Sequence, residues 1–199
     1  MAQGRRRIRA ERDDHGLAHH CRGRGSPHGC RDMSVTIRTL RDADWPAVWA
    51  ILEPIFRAGD SYSFAADITA AEAHRIWVEN PTAAYVAETT TRRIVGSYYI
   101  QPNQPGQGAH VCNCGYAVAA AARGRGVASA MCRHSQQQAL AFGFRGMQYN
   151  FVAATNAGAV RLWQQHGFDI VGTLPEAFRH PEQGYVDAYV MYKLLEPAS

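Results

Sequence analysis

Between Tyr116 and Ser129 the chain reads Tyr-Ala-Val-Ala-Ala-Ala-Ala-Arg-Gly-Arg-Gly-Val-Ala-Ser. An apolar run suited to a strand empties into a small-residue turn, and the turn opens onto a helix start with Gly124 and Gly126 beside it. The first four N–H groups of a helix have no partner within it and carry the positive end of its dipole. With no bulky side chain over them, they make a cradle for an anion, and a phosphate-bearing ligand is its natural occupant. Any fold for this chain must therefore bring a strand end and a helix start together around an open site.

The rest of the chain supplies one domain around that junction. Val35 to Leu40 reads as a strand, and Trp45, Val48, Trp49, Leu52 and Phe56 recur at helical spacing from about Trp45 to Arg57. The loop Ala58 to Phe64 mixes polar and aromatic groups, so Asp60 and Tyr62 are candidate substrate-binding residues, with packing onto the core as the alternative for Tyr62. A short helix from Ala70 to Val78 is stopped by Asn80-Pro81, and Ala83 to Glu88 with Ile94 to Gln101 form a hairpin. His110 to Val118 is the strand that leads into the cradle. A helix runs from about Gly124 to Phe142, with Val127, Ala130, Met131 and His134 expected on its inner face. Met147 to Ala154 is a strand, and a capped helix follows with Ala159, Leu162, Trp163 and His166 inward and Gly167 as its left-handed stop. Two strands, Phe168 to Thr173 and Tyr185 to Leu194, end the chain, joined by a long connection that carries Phe178, Arg179 and His180. This order predicts an α+β, mixed α/β domain with a mostly antiparallel sheet of seven strands and about four helices.

Charge locates the partners. The net charge of +4 lies wholly in residues 1–32, which hold 8 Arg against 4 acidic residues, while residues 33–199 are balanced at 13 each. That Arg-, Gly- and His-rich leader has too little apolar surface to offset its ordering entropy and is expected to be disordered. Met33 reads as the natural start of residues 33–199, or the leader as an accessory tail. A short basic tail gives only nonspecific, salt-sensitive contact with nucleic acid. No apolar run is long enough to cross a bilayer, so no membrane partner is expected. Five cysteines without a framework pattern fit a reducing cytoplasm. No metal is expected: His19, His20, Cys21, His28 and Cys30 lack a standard ligand spacing, and His110, Cys112 and Cys114, about 7 Å apart along one strand face, cannot close around one ion.

Arg123-x-x-Gly126-x-Ala128, combined with Asn156-Ala-Gly-Ala-Val-Arg-Leu-Trp-Gln-Gln-His-Gly-Phe168, resembles the two signatures of the GNAT acetyltransferase superfamily. A dinucleotide fingerprint and a P-loop lysine are both missing. The resemblance spans about Ser34 to Glu196 and implies acetyl-CoA as co-substrate. It assigns the backbone of Tyr116, Ala117 and Val118 to the pantetheine arm, and the stretch Arg123, Gly124, Arg125, Gly126, Val127, Ala128 and Ser129 to the pyrophosphate. The side chain of Asn156 would meet the cofactor arm, and dimers are common in that superfamily.

Many such proteins carry a tyrosine acid where this chain has Trp163, an N–H donor that is no practical acid. Cys112-Asn113-Cys114-Gly115-Tyr116 with Tyr149-Asn150-Phe151-Val152 is similar to the fungal and bacterial N-acetyltransferases of L-azetidine-2-carboxylate and related proline-like amino acids. That likeness implies a small amine or amino acid as acceptor and makes Asn113 and Asn150 the catalytic candidates, as amide donors to developing negative charge. The other reading of the two asparagines is that they satisfy backbone groups at a strand bulge. Arg179 is a candidate partner for a substrate carboxylate. A catalytically silent acyl-CoA-binding module is the alternative that the missing tyrosine leaves open.

Overall fold

A computed structural model describes residues 33–196. The leader, with its expected disorder and its histidines and cysteines, lies outside the described residues. The elements follow the order β1 (Val35–Thr39), α1 (Trp45–Ala58), α2 (Ala70–His74), β2 (Ala83–Thr89), β3 (Ile94–Pro102), β4 (Val111–Val118), α3 (Val127–Ala141), β5 (Gly146–Ala153), α4 (Ala157–Gln165), β6 (Asp169–His180) and β7 (Gly184–Leu194). The seven strands form one sheet in the order β1-β2-β3-β4-β5-β7-β6. Every pairing is antiparallel except β4 with β5, so the expected α+β architecture and strand count are observed.

Strand alternation divides the core into two layers. On one face α1 and α2 bury Val48, Leu52, Phe56 and Trp77 against Val86, Tyr99 and Ala117 of the sheet. Trp77 lies in a single π turn, Arg75–Glu79, that continues α2; its indole N–H donates to Ser97 Oγ at 2.9 Å, and Ser97 donates on to the Tyr85 carbonyl. On the other face α3 and α4 cover Tyr98, Ile100, Cys112, Cys114 and Met147. Cys112 and Cys114 are therefore small core residues, as their alternation predicts, while His110 stays exposed before the strand. The inner stripe of α3 is Val127, Met131, Cys132, Ser135 and Ala139; Ala130 and His134 are half-buried at its margin.

Two sequence readings are corrected here. The helix expected from Gly124 begins at Val127, because Gly124 and Gly126 both take positive φ (69° and 78°) and form the turn rather than the first helical residues. The long connection after Thr173 is mostly strand. β6 continues to His180 and pairs with β7 from Leu174↔Ala188 to His180↔Gly184, interrupted by a bulge at Pro175 and Glu176. Proline lacks a ladder donor and Glu176 sits at φ 50°, so the local sequence carries turn chemistry inside a strand.

Candidate functional site

The parallel ladder between β4 and β5 consists of two pairs, Val111↔Gly146 and Cys112↔Met147. Beyond them the strands part. β5 follows β7 through a register break between Tyr149 and Val152, while β4 stays with β3 up to Val118. Asn113 stands at the fork, where its Nδ2 donates to the Gln148 carbonyl at 2.8 Å and replaces the next ladder bond. A cleft of about 820 Å³ occupies the opening. Its walls include residues from both faces of the sheet, among them Tyr99 and Phe64 on the α1 side and Ser129 and Trp163 on the α3 side.

One end of the cleft is the start of α3. The first helical bond runs from Ala130 N–H to the Gly126 carbonyl, so the amides of Val127, Ala128 and Ser129 precede it. Arg123, Gly124 and Gly126 complete this wall. Arg125 does not line the cleft; its carbonyl accepts the Met33 N–H at 2.9 Å. Opposite lies the start of α4, where Asn156 Oδ1 accepts the Ala159 N–H at 3.1 Å as a helix cap. Asn156 lines the cleft, but that oxygen is committed to the cap, which leaves its amide nitrogen for other partners. Beside it Thr155 Oγ1 is buried with no hydrogen-bond partner among the described residues. Buried hydroxyls are paired as a rule, so an orphan in a cleft wall fits a ligand that supplies the partner.

Tyr116 and Val118 also line the cleft. Ala117 does not: Ala119 N–H bonds to the Val95 carbonyl, and alternation then turns the polar groups of Ala117 to β3, leaving those of Tyr116 and Val118 for the opening. The Tyr116 carbonyl accepts the Tyr62 hydroxyl at 2.8 Å, which ties the loop after α1 to the fork. Tyr62 packs on Phe56 and Phe64 and also lines the cleft.

Also in the cleft wall, Trp163 lies against Tyr116 and Tyr149, with both ring centroids at 4.8 Å. The hydroxyls of Tyr116 and Tyr149 are 3.1 Å apart, and that of Tyr116 is 2.7 Å from Ser135 Oγ, which donates to the Cys132 carbonyl. Burial holds both phenols well above their ordinary value, and burial likewise pushes Tyr99 up to about 12. These groups therefore stay protonated and act as donors, not bases. This hydroxyl pair was not picked out from the sequence, where Tyr149 reads only as one position of an alternating strand. Gly115 has a steric reason for being glycine: a Cβ there would stand 2.5 Å from the Tyr99 ring.

At the other end the cleft meets Asp60, Tyr62 and Phe64 and, from the β6–β7 turn, His180 and Gln183. Asp60 is exposed at the rim and accepts the Ser61 hydroxyl at 2.5 Å. Arg179 does not line the cleft. Phe178 and Arg179 are neighbours on β6, Phe178 is buried against Ala153 and Ala188, and alternation leaves Arg179 exposed outside the cleft. Asn150 is exposed, with Nδ2 donating to Asn103 Oδ1 at 2.6 Å and Oδ1 accepting from Gln148 Nε2 at 2.8 Å. Asn113 and Asn150 both line the cleft, each with a second amide hydrogen beyond the bond described.

Residues 45–168 match the model of the Acetyltransferase (GNAT) family. Over 98 residues the chain is 36% identical to the N-acetyltransferase aca1 of Schizosaccharomyces pombe, an alignment covering 49% of this chain and 47% of that protein, so the chain spans about half the length of that curated relative. Among solved structures, a GCN5-related N-acetyltransferase from Kribbella flavida is 42% identical with a TM-score of 0.78, over 81% of this chain and 98% of that one. A GNAT superfamily phosphinothricin acetyltransferase from Sinorhizobium meliloti, solved in complex with AcCoA, shares the fold at 18% identity and a TM-score of 0.73, over 84% of this chain and 95% of that one.

Proposed function

Because the chain belongs to the acetyltransferase (GNAT) family, we propose that it is an acetyl-CoA-dependent N-acetyltransferase whose acceptor is the amine of a small molecule, an amino acid or a proline-like analogue of one. The observation that carries this reading is the fork itself. Where the β4–β5 ladder stops, one continuous cleft joins an amide-lined helix start to a loop of mixed polar and aromatic side chains.

Acetyl-CoA supplies the acyl group: the amine nitrogen forms an amide bond to the thioester carbon, the carbon–sulfur bond breaks, the amine loses a proton and the thiolate takes one up. The chain's own residues do the rest. The amides of Val127, Ala128 and Ser129, with Arg123 alongside, hold the pyrophosphate. The polar groups of Tyr116 and Val118 and the amide of Asn156 hold the arm, and Thr155 Oγ1 gains its missing partner. Asn113 and Asn150 turn their second amide hydrogens to the charge that develops at the reacting carbonyl, Asn113 from a position fixed by the Gln148 carbonyl.

An alkylamine with a pKa of about 10.4 is free base in roughly one part in a few thousand at pH 7. Among the described residues the one carboxylate lining the cleft is Asp60, exposed at the rim, and burial holds the Tyr116 and Tyr149 phenols protonated, so the amine enters as the free base or loses its proton to water or to a group at the rim. With Arg179 outside, His180, which lines the cleft, is the candidate partner for a substrate carboxylate. Cys112, Cys114 and Cys132 are free thiols, which supports a reducing, cytoplasmic setting, and no helix among the described residues is long and apolar enough to cross a membrane. The reading includes a homodimer built on the sheet edge β6, where Ile170, Val171 and Leu174 are exposed.

The second reading, a catalytically silent acyl-CoA-binding module, is favoured by one observation: Trp163, an N–H donor that is no practical acid, is the side chain packed against Tyr116 and Tyr149 in the cleft wall. Incubating the protein with acetyl-CoA and a panel of amino acids and amines, while following free thiol, decides between them. Acceptor-dependent thiol release supports the enzyme; bound CoA with no release above hydrolysis supports the module.

A further inference from the structure

Ser129 is the third residue of α3 and lines the cleft, and its hydroxyl sits where two basic side chains from outside the cleft lining meet. Arg133, one turn on, donates Nη1–H to Ser129 Oγ at 2.8 Å. His166, just past α4, holds Nε2 2.8 Å from the same oxygen. The ring is placed by its own backbone, since the His166 N–H donates to the Leu162 and Trp163 carbonyls and its carbonyl accepts Lys193 Nζ at 2.8 Å. Lys193 is steadied in turn by Gln136 Oε1 at 2.6 Å. α3 and the residue that ends α4 thus meet at one hydroxyl, and Lys193 of β7 holds the backbone of His166.

A serine hydroxyl has one proton and two lone pairs. Arg133 occupies one lone pair. When Nε2 carries the imidazole proton it occupies the other, and the serine's own proton can be donated only away from both, into the cleft. When Nε2 is bare, the serine gives its proton to the ring and turns no donor to an incoming anion. Partial burial holds the His166 pKa below the ordinary value, and the charged groups that face the ring, Arg133 and Lys193, are both cationic and lower it further. The ring is therefore neutral at pH 7 and acts by the placement of its single N–H.

We propose that His166 and Arg133 are positioning residues that set the Ser129 hydroxyl as a donor to a phosphate oxygen of the acyl donor, beside the amides of the α3 start. This rests on the acetyl-CoA reading above. It adds to that reading a side-chain contact whose effect depends on the donor having a phosphate.

The test compares acetyl-CoA with S-acetylpantetheine, which has the thioester and lacks the pyrophosphate. The quantity read is the ratio of kcat/KM for the two donors in wild type, Ser129→Ala, His166→Leu and His166→Gln, each checked for folding by thermal melting. Loss of one hydrogen bond to a charged group corresponds to about a tenfold change. Ser129→Ala and His166→Leu are expected to lower the ratio about tenfold, the double variant to lower it no further, and His166→Gln, whose side-chain amide can donate in place of Nε2–H, to keep most of it. Nitrogen NMR of the wild type should show the His166 proton on Nε2 when CoA is bound. An unchanged ratio in folded His166→Leu, or an equal loss with both donors, overturns the proposal, and Ser129→Ala alone decides it if His166→Leu does not fold. Wild-type protein that neither binds CoA nor uses either donor overturns the acetyl-CoA reading as well, an outcome distinct from the first two.

Discussion

Thr155→Val removes a single hydroxyl at nearly constant shape, and the structure assigns opposite signs to its effects on stability and on binding. Thr155 Oγ1 is buried in the turn between β5 and α4 and has no hydrogen-bond partner among the described residues. An unpaired buried hydroxyl costs about 1–3 kcal/mol, so replacing it with a methyl group is expected to stabilise the ligand-free protein by about 1 kcal/mol. For a domain of this size that is a rise in Tm of about 2–4 °C. Thr155 itself lines the cleft next to Asn156, where the acyl donor would pair with its hydroxyl. Removing it should cost about 0.5–1.5 kcal/mol of binding, or roughly two- to tenfold in Kd for CoA. Thermal melting without ligand and calorimetric titration with CoA measure the two terms separately. A higher Tm with unchanged CoA affinity would show that the ligand does not reach this hydroxyl. A lower Tm would show that the hydroxyl already has a partner and that the reasoning from its burial is mistaken.

Asn113→Ala should lower kcat with CoA affinity retained and also destabilise the fold by about 1 kcal/mol, because it leaves the Gln148 carbonyl at the fork without its donor. Asn150→Ala should lower kcat with stability changed by no more than about 0.5 kcal/mol, since its partners Asn103 and Gln148 are reached on an exposed surface; kinetics and melts on both variants check the contrast. Gly115→Ala should disturb the acceptor side, since the added methyl meets the Tyr99 ring, and is expected to raise the acceptor KM more than that of acetyl-CoA. Burial lowers the folded-state pKa of His134, and burial with Arg133 and Lys193 lowers that of His166, so the unfolded chain binds protons first. The stabilisation is complete above the ordinary histidine value near 6.5 and is lost as pH falls from there through the lowered folded values, so Tm should drop between pH 7.5 and 5.5, and His134→Gln should flatten that drop.

Much of the site was legible because its signals are local. A strand that runs into small residues and then two glycines states its own geometry, and the structure puts the open amides at Val127 to Ser129, three residues later than the first glycine. Asn156 and Gly167 likewise bound α4 by local chemistry, a side-chain cap at one end and a positive φ of 85° at the other. What the sequence hides depends on pairing with distant strands. Which residues of β4 face the opening is set by its phase against β3, so Ala117 reads as equivalent to its neighbours until Ala119 is seen bonded to Val95. Arg179 looks like a pocket residue only while β6 is taken for a loop; once Phe178 packs on Ala188, its neighbour must face outward. The Tyr116–Tyr149 hydroxyl pair joins two strands that part before they reach it, so no spacing along the chain announces it.

Everything proposed for this site depends on the acyl donor lying in the fork between β4 and β5. A crystal structure with CoA bound tests it most directly. The pyrophosphate is expected on the amides of Val127, Ala128 and Ser129, the arm passing Tyr116, Thr155 and Asn156, and the sulfur between Asn113 and Asn150. CoA bound outside the fork, or with its sulfur turned away from both asparagines, would contradict it.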